Sequence, residues 1–364
     1  MIMANSPLKV GVVGMGGIGH THCNAYIADE LAELVCVCDM RKERADEAAE
    51  KFGVEKFYTV KEMLNAHPEL DIVDVTTSGI ENGSWHYVPV MEALAAGKHV
   101  LTEKPISNDI EEAREMVRFA CQQDLYLGCN LNHYFSEPAF MADKLIADGQ
   151  IGEQVYALTK VGFNGSTVDV PNIDPTSRWQ YPYSHAKAFL THPFSVMRHF
   201  SGDVKYIQAF MDKPGARRQG GDMMLSIQSI HMQFQNGCVG YLLSQRGDAH
   251  FGLGGWWSYE LAGTKGTFCI ENCVEKLTVW HKDKEPVITN TGVTDFGATF
   301  PIRIHAFLED VTNKVDKEHL RASGRDALAT MEYIFAAIDS YESGGELVRP
   351  HALPAFHGSV NIIK

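Results

Sequence analysis

The chain has 364 residues, enough for two domains of ordinary size. Its 46 Asp and Glu outweigh 32 Lys and Arg, giving a formal net charge of -14, which argues against nucleic acid or an anionic membrane surface as a partner. No run of eighteen apolar residues occurs, the first thirty residues lack the pattern of a secretory leader, and none of the eight cysteines forms a Cys-x-x-Cys. The expectation is a cytoplasmic protein with free thiols, no membrane span and no metal site.

Residues 8–13 form an apolar run that leads straight into Gly14-Met15-Gly16-Gly17-Ile18-Gly19. A helix-compatible stretch at 20–28 and a strand at 34–38 ending in Asp39 come next. A glycine motif alone is a weak signal. Here it lies between a strand and a helix, with an acid twenty residues beyond its last glycine, which is the spacing of a dinucleotide site. Gly14 permits the tight turn, Gly16 lets backbone amides approach a pyrophosphate, and Gly19 lets the helix pack closely. Asp39 would accept hydrogen bonds from a ribose and repel a 2′-phosphate, which favours NAD over NADP. Arg41 and Lys42 follow at once and pull the other way.

The alternation continues with a helix at 42–51, a short strand at 57–58, a helix at 60–66 and a strand at 71–77. The small residues Thr76 and Thr77 at that strand's end leave room for a cofactor, and the segment opening at Ser78 is a glycine-punctuated loop on the same edge. Trp85-His86 opens the next helix. His86 is either a helix-start residue without chemistry or part of a nicotinamide pocket. Gly97 closes that helix, Val100-Leu101 is a buried strand, and Glu103-Lys104-Pro105 stands at its end. Pro105 biases Lys104 toward an extended backbone, so the lysine is held at the sheet edge where such folds bind ligands. A Glu-Lys pair by itself is more often a solvated ion pair; its setting here argues otherwise. A helix at 110–122 and a strand at 126–130 complete a doubly wound nucleotide-binding domain over residues 1–130.

The pattern then changes. After a helix at 138–148, strands are expected at 155–161, 206–211, 223–234, 240–245, 257–262, 267–271 and 276–281, joined by turns such as Asn236-Gly237. Strands without intervening helices predict a large, open, mostly antiparallel sheet, one face on helices and the other free for an oligomer or a substrate. Late helices at 303–315 and 327–341 are expected to return toward the first domain. The fold class is α/β: a doubly wound parallel sheet followed by an α+β domain over 131–364.

The glycine turn, Asp39, Gly97-Lys98-His99-Val100 before Glu103-Lys104-Pro105, Ile151-Gly152 after a helix, and Ala262-Gly263-Thr264-Lys265-Gly266 together resemble the glucose-fructose oxidoreductase/inositol dehydrogenase/MocA family over nearly the whole chain. The resemblance implies an N-terminal Rossmann domain and a C-terminal substrate domain. It also implies a homo-oligomer (dimer, tetramer or hexamer) built by pairing C-terminal sheets, and NAD(P)-dependent chemistry on a secondary alcohol of a sugar, cyclitol or glycoside. By the same resemblance Gly14, Gly16, Gly17, Ile18, Gly19, Asp39, Met40, Arg41, Thr76, Thr77, Ser78, His86, Glu103 and Lys104 are expected cofactor contacts, and Lys104 also meets the substrate.

His192, followed by Phe194, Val196, Met197 and Gly202, matches the family's catalytic histidine, but Ala188 stands where the family has an aspartate. Alanine can neither orient a sugar nor raise a neighbour's basicity. His185, Lys187 and Asp174 are the candidates to substitute. His185, Ala188 and His192 would share one face if a helix reached back to 185, whereas Pro193 argues that the helix starts about there. Asn132-His133-Tyr134-Phe135 lacks the arginine the family often places before the aromatic, and the loop 79–84 is longer than usual. Asn132, His133, Arg178, Trp179, His185 and His192 are the expected substrate contacts beside Lys104.

Hydride transfer from a carbinol requires the hydroxyl proton to leave to a base, and an ordinary imidazole, with a pKa of about 6.5, suits His192 to that task. Lys104, with a pKa lowered by partial burial near a cationic nicotinamide, would donate to the hydroxyl. Aromatic, polar loops such as Arg178-Trp179-Gln180-Tyr181 and Gly255-Trp256-Trp257 suit a pyranose and its aglycone. The expected activity is oxidation of a sugar or glycoside ring hydroxyl, C3 foremost, to the keto sugar, with NAD released or retained and recycled. Alternatives are an inositol dehydrogenase or a reductase of a keto sugar or imine on the same scaffold, and, in another class, a non-catalytic NAD-binding sensor or subunit.

Overall fold

The structure, a computed structural model, describes residues 6–78, 85–163, 181–219, 221, 223–249 and 256–354. The chain forms two units, of which the first comprises residues 1–131, 300–328 and 353–364. Its strands are β1 (Leu8–Val13), β2 (Ala32–Cys38), β3 (Glu55–Phe57), β4 (Ile72–Val75), β5 (His99–Thr102) and β6 (Leu127–Cys129). Between them run α1 (Gly17–Ala28), α2 (Lys42–Phe52), α3 (Val60–Ala66), α4 (Tyr87–Ala95) and α5 (Ile110–Gln122). All neighbouring strands are parallel, in the order β3-β2-β1-β4-β5-β6. The order reverses between β1 and β4, so the C-terminal ends of these strands frame the crevice where such sheets bind ligands. Gly97 ends α4 as expected: at φ +75 its N–H bonds the Leu94 carbonyl while the Lys98 N–H bonds that of Ala93, each at 3.0 Å.

The second unit comprises residues 132–299 and 329–352. It contains α6 (Glu137–Ala147), β7 (Gln154–Phe163), α7 (Ser184–Phe189), α8 (Thr191–Ser201), β8 (Val204–Asp212), α9 (Gly215–Gln219), β9 (Ile227–Phe234) and β10 (Val239–Arg246). Four further strands follow: β11 (Trp257–Gly263), β12 (Gly266–Glu271), β13 (Lys276–His281) and β14 (Val287–Asn290). They form one eight-stranded sheet in the order β14-β13-β12-β11-β7-β10-β9-β8, in which only β7 and β10 pair in parallel. Alternate residues face the core, where Phe200 stacks on Tyr259 at 5.1 Å and the Phe194 ring meets Tyr333 edge-on at 5.8 Å. The other face keeps Leu158, Phe210 and Val239 exposed. Strand β14, short and solvent-facing, lacks the apolar alternation that announced the others.

The chain then returns to the first unit through α10 (Thr299–Thr312), whose Ile304, Phe307, Leu308 and Val311 join Val10, Val12, Tyr26, Ile72 and Leu101 in one core. Arg303 is fully buried and donates from Nε to the Cys129 carbonyl and from Nη2 to the Ala322 carbonyl, both at 3.1 Å. The Cys129 N–H bonds the same Ala322 carbonyl at 2.9 Å, so this segment covers the outer edge of β6 and removes an open strand edge. Helix α11 (Gly324–Glu342) begins in the first unit and passes into the second at Ala329. A second domain running unbroken over 131–364 is therefore corrected: residues 300–328 belong with the nucleotide-binding sheet, because α10 completes its core. All eight cysteines are free thiols.

Phe307→Ala is expected to lower the unfolding free energy by about 3–5 kcal/mol in urea titrations, whereas Val287→Ala on exposed β14 should change it by less than about 0.5 kcal/mol.

Candidate functional site

Strand β1 ends at Val13 and the chain turns through Gly14 at φ +102, where a β-carbon would lie 2.6 Å from the Thr77 nitrogen. A β-carbon on Gly19 would lie 2.0 Å from the Gly14 carbonyl oxygen, so only glycine lets α1 approach the turn this closely. On Gly16 or Gly17 it would meet no described atom within 4 Å. This open space borders the N-terminus of α1, which has no side-chain cap and no acid in its first turn, leaving amides and a positive dipole end for an anion.

The surrounding side chains hold that turn in place. Thr76 donates from Oγ1 to the Gly14 carbonyl at 2.7 Å. The Asp39 carboxylate accepts the Met15 N–H at 2.7 Å and the Arg41 N–H at 2.8 Å. Each of its oxygens keeps a lone pair for a ribose hydroxyl, while a 2′-phosphate would meet a fixed negative charge. Ile18, Met40, Arg41 and Ser78 are exposed, and Thr77, half-buried, donates from Oγ1 to the Trp85 carbonyl at 3.0 Å. The residues present fit a dinucleotide.

Glu103 and Lys104 sit at the C-terminal end of β5, and the Glu103 carboxylate is turned inward. One oxygen accepts the Lys104 backbone N–H at 3.1 Å, and the other takes Asn130 Nδ2 and lies 3.2 Å from His22 Nε2. His22, on α1, is completely buried, with Nδ1 2.7 Å from Asp74 Oδ2 in the middle of β4. Burial opposes charge on His22, but Asp74 and Glu103 outweigh it and raise its pKa to about 10. Burial likewise pushes Glu103 up, and His22, Lys104 and Asn130 more than reverse this, bringing it to about 2. His86 lies between two backbone segments. Its Nδ1 lies 2.8 Å from the Pro105 carbonyl and its Nε2 2.5 Å from that of Thr77, so the ring braces these two segments. Burial lowers its pKa, the two carbonyls opposing.

In the second unit, α7 and α8 meet at Leu190. Helix α8 starts two residues before Pro193, which sits harmlessly in its first turn, and the separate α7 carries His185 and Ala188. The helix therefore starts about where Pro193 implied, and it does not run back unbroken to His185. His192 is 7% exposed and stacks on His133 with ring centres 3.7 Å apart, and His133 in turn meets Trp257 edge-on at 6.0 Å. Sheet register places Trp257 beside Val161, Val161 beside Ser244, and Ser244 beside Gln228, all fully buried. His185 Nε2 hydrogen-bonds Ser244 Oγ at 2.9 Å. Burial, then Arg246 and Arg217, lower the His185 pKa to about 3, so the ring is neutral.

Among the described residues, Trp257 Nε1, Gln228 Oε1, Ser226 Oγ and His185 Nδ1 are buried polar atoms without a hydrogen-bond partner. Buried polar atoms seldom go without a partner, and these four share the interior of the second unit. Asn132 donates to Thr299 Oγ1 at 2.8 Å, and the Lys187 ammonium lies over the Phe335 ring. Arg178, Trp179, Asp174 and the 79–84 loop lie outside the described residues.

Sequence reasoning passed over His22, Asp74, Asn130, Ser244 and Gln228. An acid inside the apolar run Ile72-Val73-Asp74-Val75 was the available signal, since buried strands seldom carry an unpaired charge. No group of potential metal ligands occurs among the described residues, and no described helix is long and apolar enough to cross a membrane.

A family model described as an oxidoreductase family with an NAD-binding Rossmann fold matches residues 8–131. D-glucoside 3-dehydrogenase of Escherichia coli is 31% identical over 158 residues, 43% of this chain and 44% of that protein, so the chain spans less than half of that relative's length. Levoglucosan dehydrogenase of Pseudarthrobacter phenanthrenivorans is 25% identical over 294 residues, 71% of this chain and 72% of that one. Among solved structures, an NAD binding oxidoreductase from Klebsiella pneumoniae has a TM-score of 0.83 at 22% identity, covering 96% of this chain and 100% of its own. A levoglucosan dehydrogenase complex with NADH and levoglucosan has a TM-score of 0.81 at 20% identity, covering 95% and 99%. These likenesses establish the fold.

Two measurements check the first unit's site. Gly19→Ala should weaken NAD binding by about tenfold or more in fluorescence titrations, because the added carbon forces the turn apart. The stability supplied by His22 is fully present below the ordinary pKa of 6.5 and is lost as pH rises through about 10. The urea midpoint should fall across that range, and His22→Gln should flatten the fall.

Proposed function

The chain belongs to the glucose-fructose oxidoreductase/inositol dehydrogenase/MocA family of oxidoreductases, and we propose that it oxidises a secondary ring hydroxyl of a sugar or glycoside with NAD as hydride acceptor. The observation that carries this reading is the glycine turn at the N-terminus of α1, with Asp39 bound to its backbone and Lys104 at the end of β5. In the second unit, neutral donors and acceptors beside aromatic rings suit the edges and faces of a pyranose. C3 is the position proposed, on the likeness to the D-glucoside 3-dehydrogenase.

NAD, when bound, supplies the hydride acceptor. Gly14, Gly16, Gly17, Ile18 and Gly19 would seat the pyrophosphate, Asp39 with Met40 and Arg41 the adenosine ribose, and Thr76, Thr77, Ser78 and Glu103 the edge toward the nicotinamide. His192 is assigned the role of base for the hydroxyl proton, and Lys104, by the family resemblance, that of a donor to the substrate. His133 holds the His192 ring by stacking. His185, neutral and bonded to Ser244, orients a hydroxyl and supplies part of what Ala188 cannot. Asn132, Arg178 and Trp179 complete the substrate contacts.

The open face of the eight-stranded sheet is assigned to pairing with a second copy of the chain. Its exposed Leu158 and Val239 flank a groove of about 360 Å³ lined with Tyr156, Tyr206, His231 and Tyr241. The free thiols suit a reducing cytoplasm.

Nicotinamide absorbance with a panel of hexoses, aryl glycosides and inositols tests the reading. One sugar class should drive reduction, and Lys104→Ala and His192→Ala should each lower kcat by about 10²-fold or more. Keto product without an absorbance change indicates a retained, recycled cofactor. Bound NAD with neither signal indicates a sensor and overturns the reading. Asp39→Ser should raise kcat/KM with NADP relative to NAD.

A further inference from the structure

Of the buried cluster His22, Asp74 and Glu103, only Glu103 is assigned to the cofactor edge above; His22 and Asp74 have no role there. Charged groups in this cluster forgo hydration, a cost that their mutual attraction only offsets when the geometry is good. Its placement suggests what it does. His22 lies on α1, the helix whose N-terminus borders the open glycine turn, and its two nitrogens reach the middle of β4 at 2.7 Å and the end of β5 at 3.2 Å. On the far side of the Glu103 carboxylate is the backbone N–H of Lys104, at 3.1 Å.

We propose that His22 is a positioning residue for Lys104: its imidazolium, pinned by Asp74, holds Glu103 so that the second carboxylate oxygen fixes the lysine's backbone. The helix that seats the cofactor and the turn that carries the lysine are thereby tied by one side chain. The proposal rests on the reading of Lys104 as the group that meets the substrate. Every element around His22 contributes to its state. Asp74 faces it from β4, Glu103 from β5 and Asn130 from beyond β6, the Phe300 ring meets it edge-on from α10 at 5.7 Å, and Tyr26 lies one turn along α1. Lys104 and Arg303 are the next cations, the latter bonded to the Cys129 carbonyl. The two carboxylates flanking His22 leave it the one cation in direct contact with both, among the described residues.

The test compares wild type, His22→Gln, Glu103→Gln and the double variant. Without His22, buried Glu103 loses the cation on one oxygen and takes up a proton as pH falls. The kcat profile of His22→Gln should acquire a second acid limb, beyond the single one that His192 gives wild type, with kcat lowered about 10–100-fold, and this added limb should vanish in the double variant. A purely structural role would lower the melting temperature and leave the profile's shape unchanged, which would overturn the proposal.

A second readout needs no turnover. After reductive ¹³C-methylation, the Lys104 dimethyl resonance should shift in His22→Gln and stay put in a His67→Gln control; an unmoved resonance overturns the proposal. If wild type oxidises no polyol, the functional reading fails while this resonance still decides the positioning role. Should His22→Gln not fold, ¹⁵N spectra of the wild-type histidine rings decide: both His22 nitrogens protonated at about pH 9 support the proposal, and a neutral ring overturns it.

Discussion

Three ionisable side chains share a space from which water is excluded, and the architecture of the first unit depends on how their charges are matched. A histidine between two carboxylates in such a place is held as a cation by them, and it holds the nearer carboxylate as an anion in return. The match works only if α1, β4 and β5 keep their spacing to within hydrogen-bond tolerance, because a displacement of either carboxylate leaves a buried charge without a partner. The glycine turn imposes the same demand from the other end. With Gly19 against the Gly14 carbonyl, α1 cannot slide away from β1 without losing its seat.

The second unit handles polarity in the opposite way. Among the described residues, the buried atoms around His185 that lack a partner are neutral: an indole, an amide, a hydroxyl and an imidazole kept uncharged by burial and two neighbouring arginines. Such a lining is chemically suited to hydroxyls rather than to charged groups, and the stacked His133 and His192 reach it through Trp257. Where the family's aspartate would have introduced a carboxylate, Ala188 leaves the environment neutral. In the proposed reading, orienting a substrate falls to side chains that donate and accept without ionising.

Interleaving of the two units in the chain has its own physical cause. Strand β6 would end the parallel sheet with an open edge, and the first domain alone would leave the apolar surface of β1, β4 and β5 uncovered. Helix α10 closes the core, and Arg303 with the 322–323 segment caps the edge. A boundary drawn at residue 131 from the change of pattern is correct for the sheets and incomplete for the units.

The strands and helices of the nucleotide-binding half were legible because their signals are local: apolar runs, helical period and the glycine at a helix end each act within a few residues. The dinucleotide turn was legible for the same reason, since Gly14, Gly16 and Gly19 answer to contacts made within one turn, and so was Lys104 before Pro105. His22, Asp74 and Asn130 were not, because their partners lie 52 and 27 residues away in sequence along with Glu103, and a charge in a strand does not say what will meet it. His86 shows the same limit. Its place at a helix start could be read, but only the folded chain shows both ring nitrogens against the carbonyls of Thr77 and Pro105. Local order is written in neighbouring residues; which charges are buried together, and in which ionisation state, is decided by packing between elements far apart in the chain.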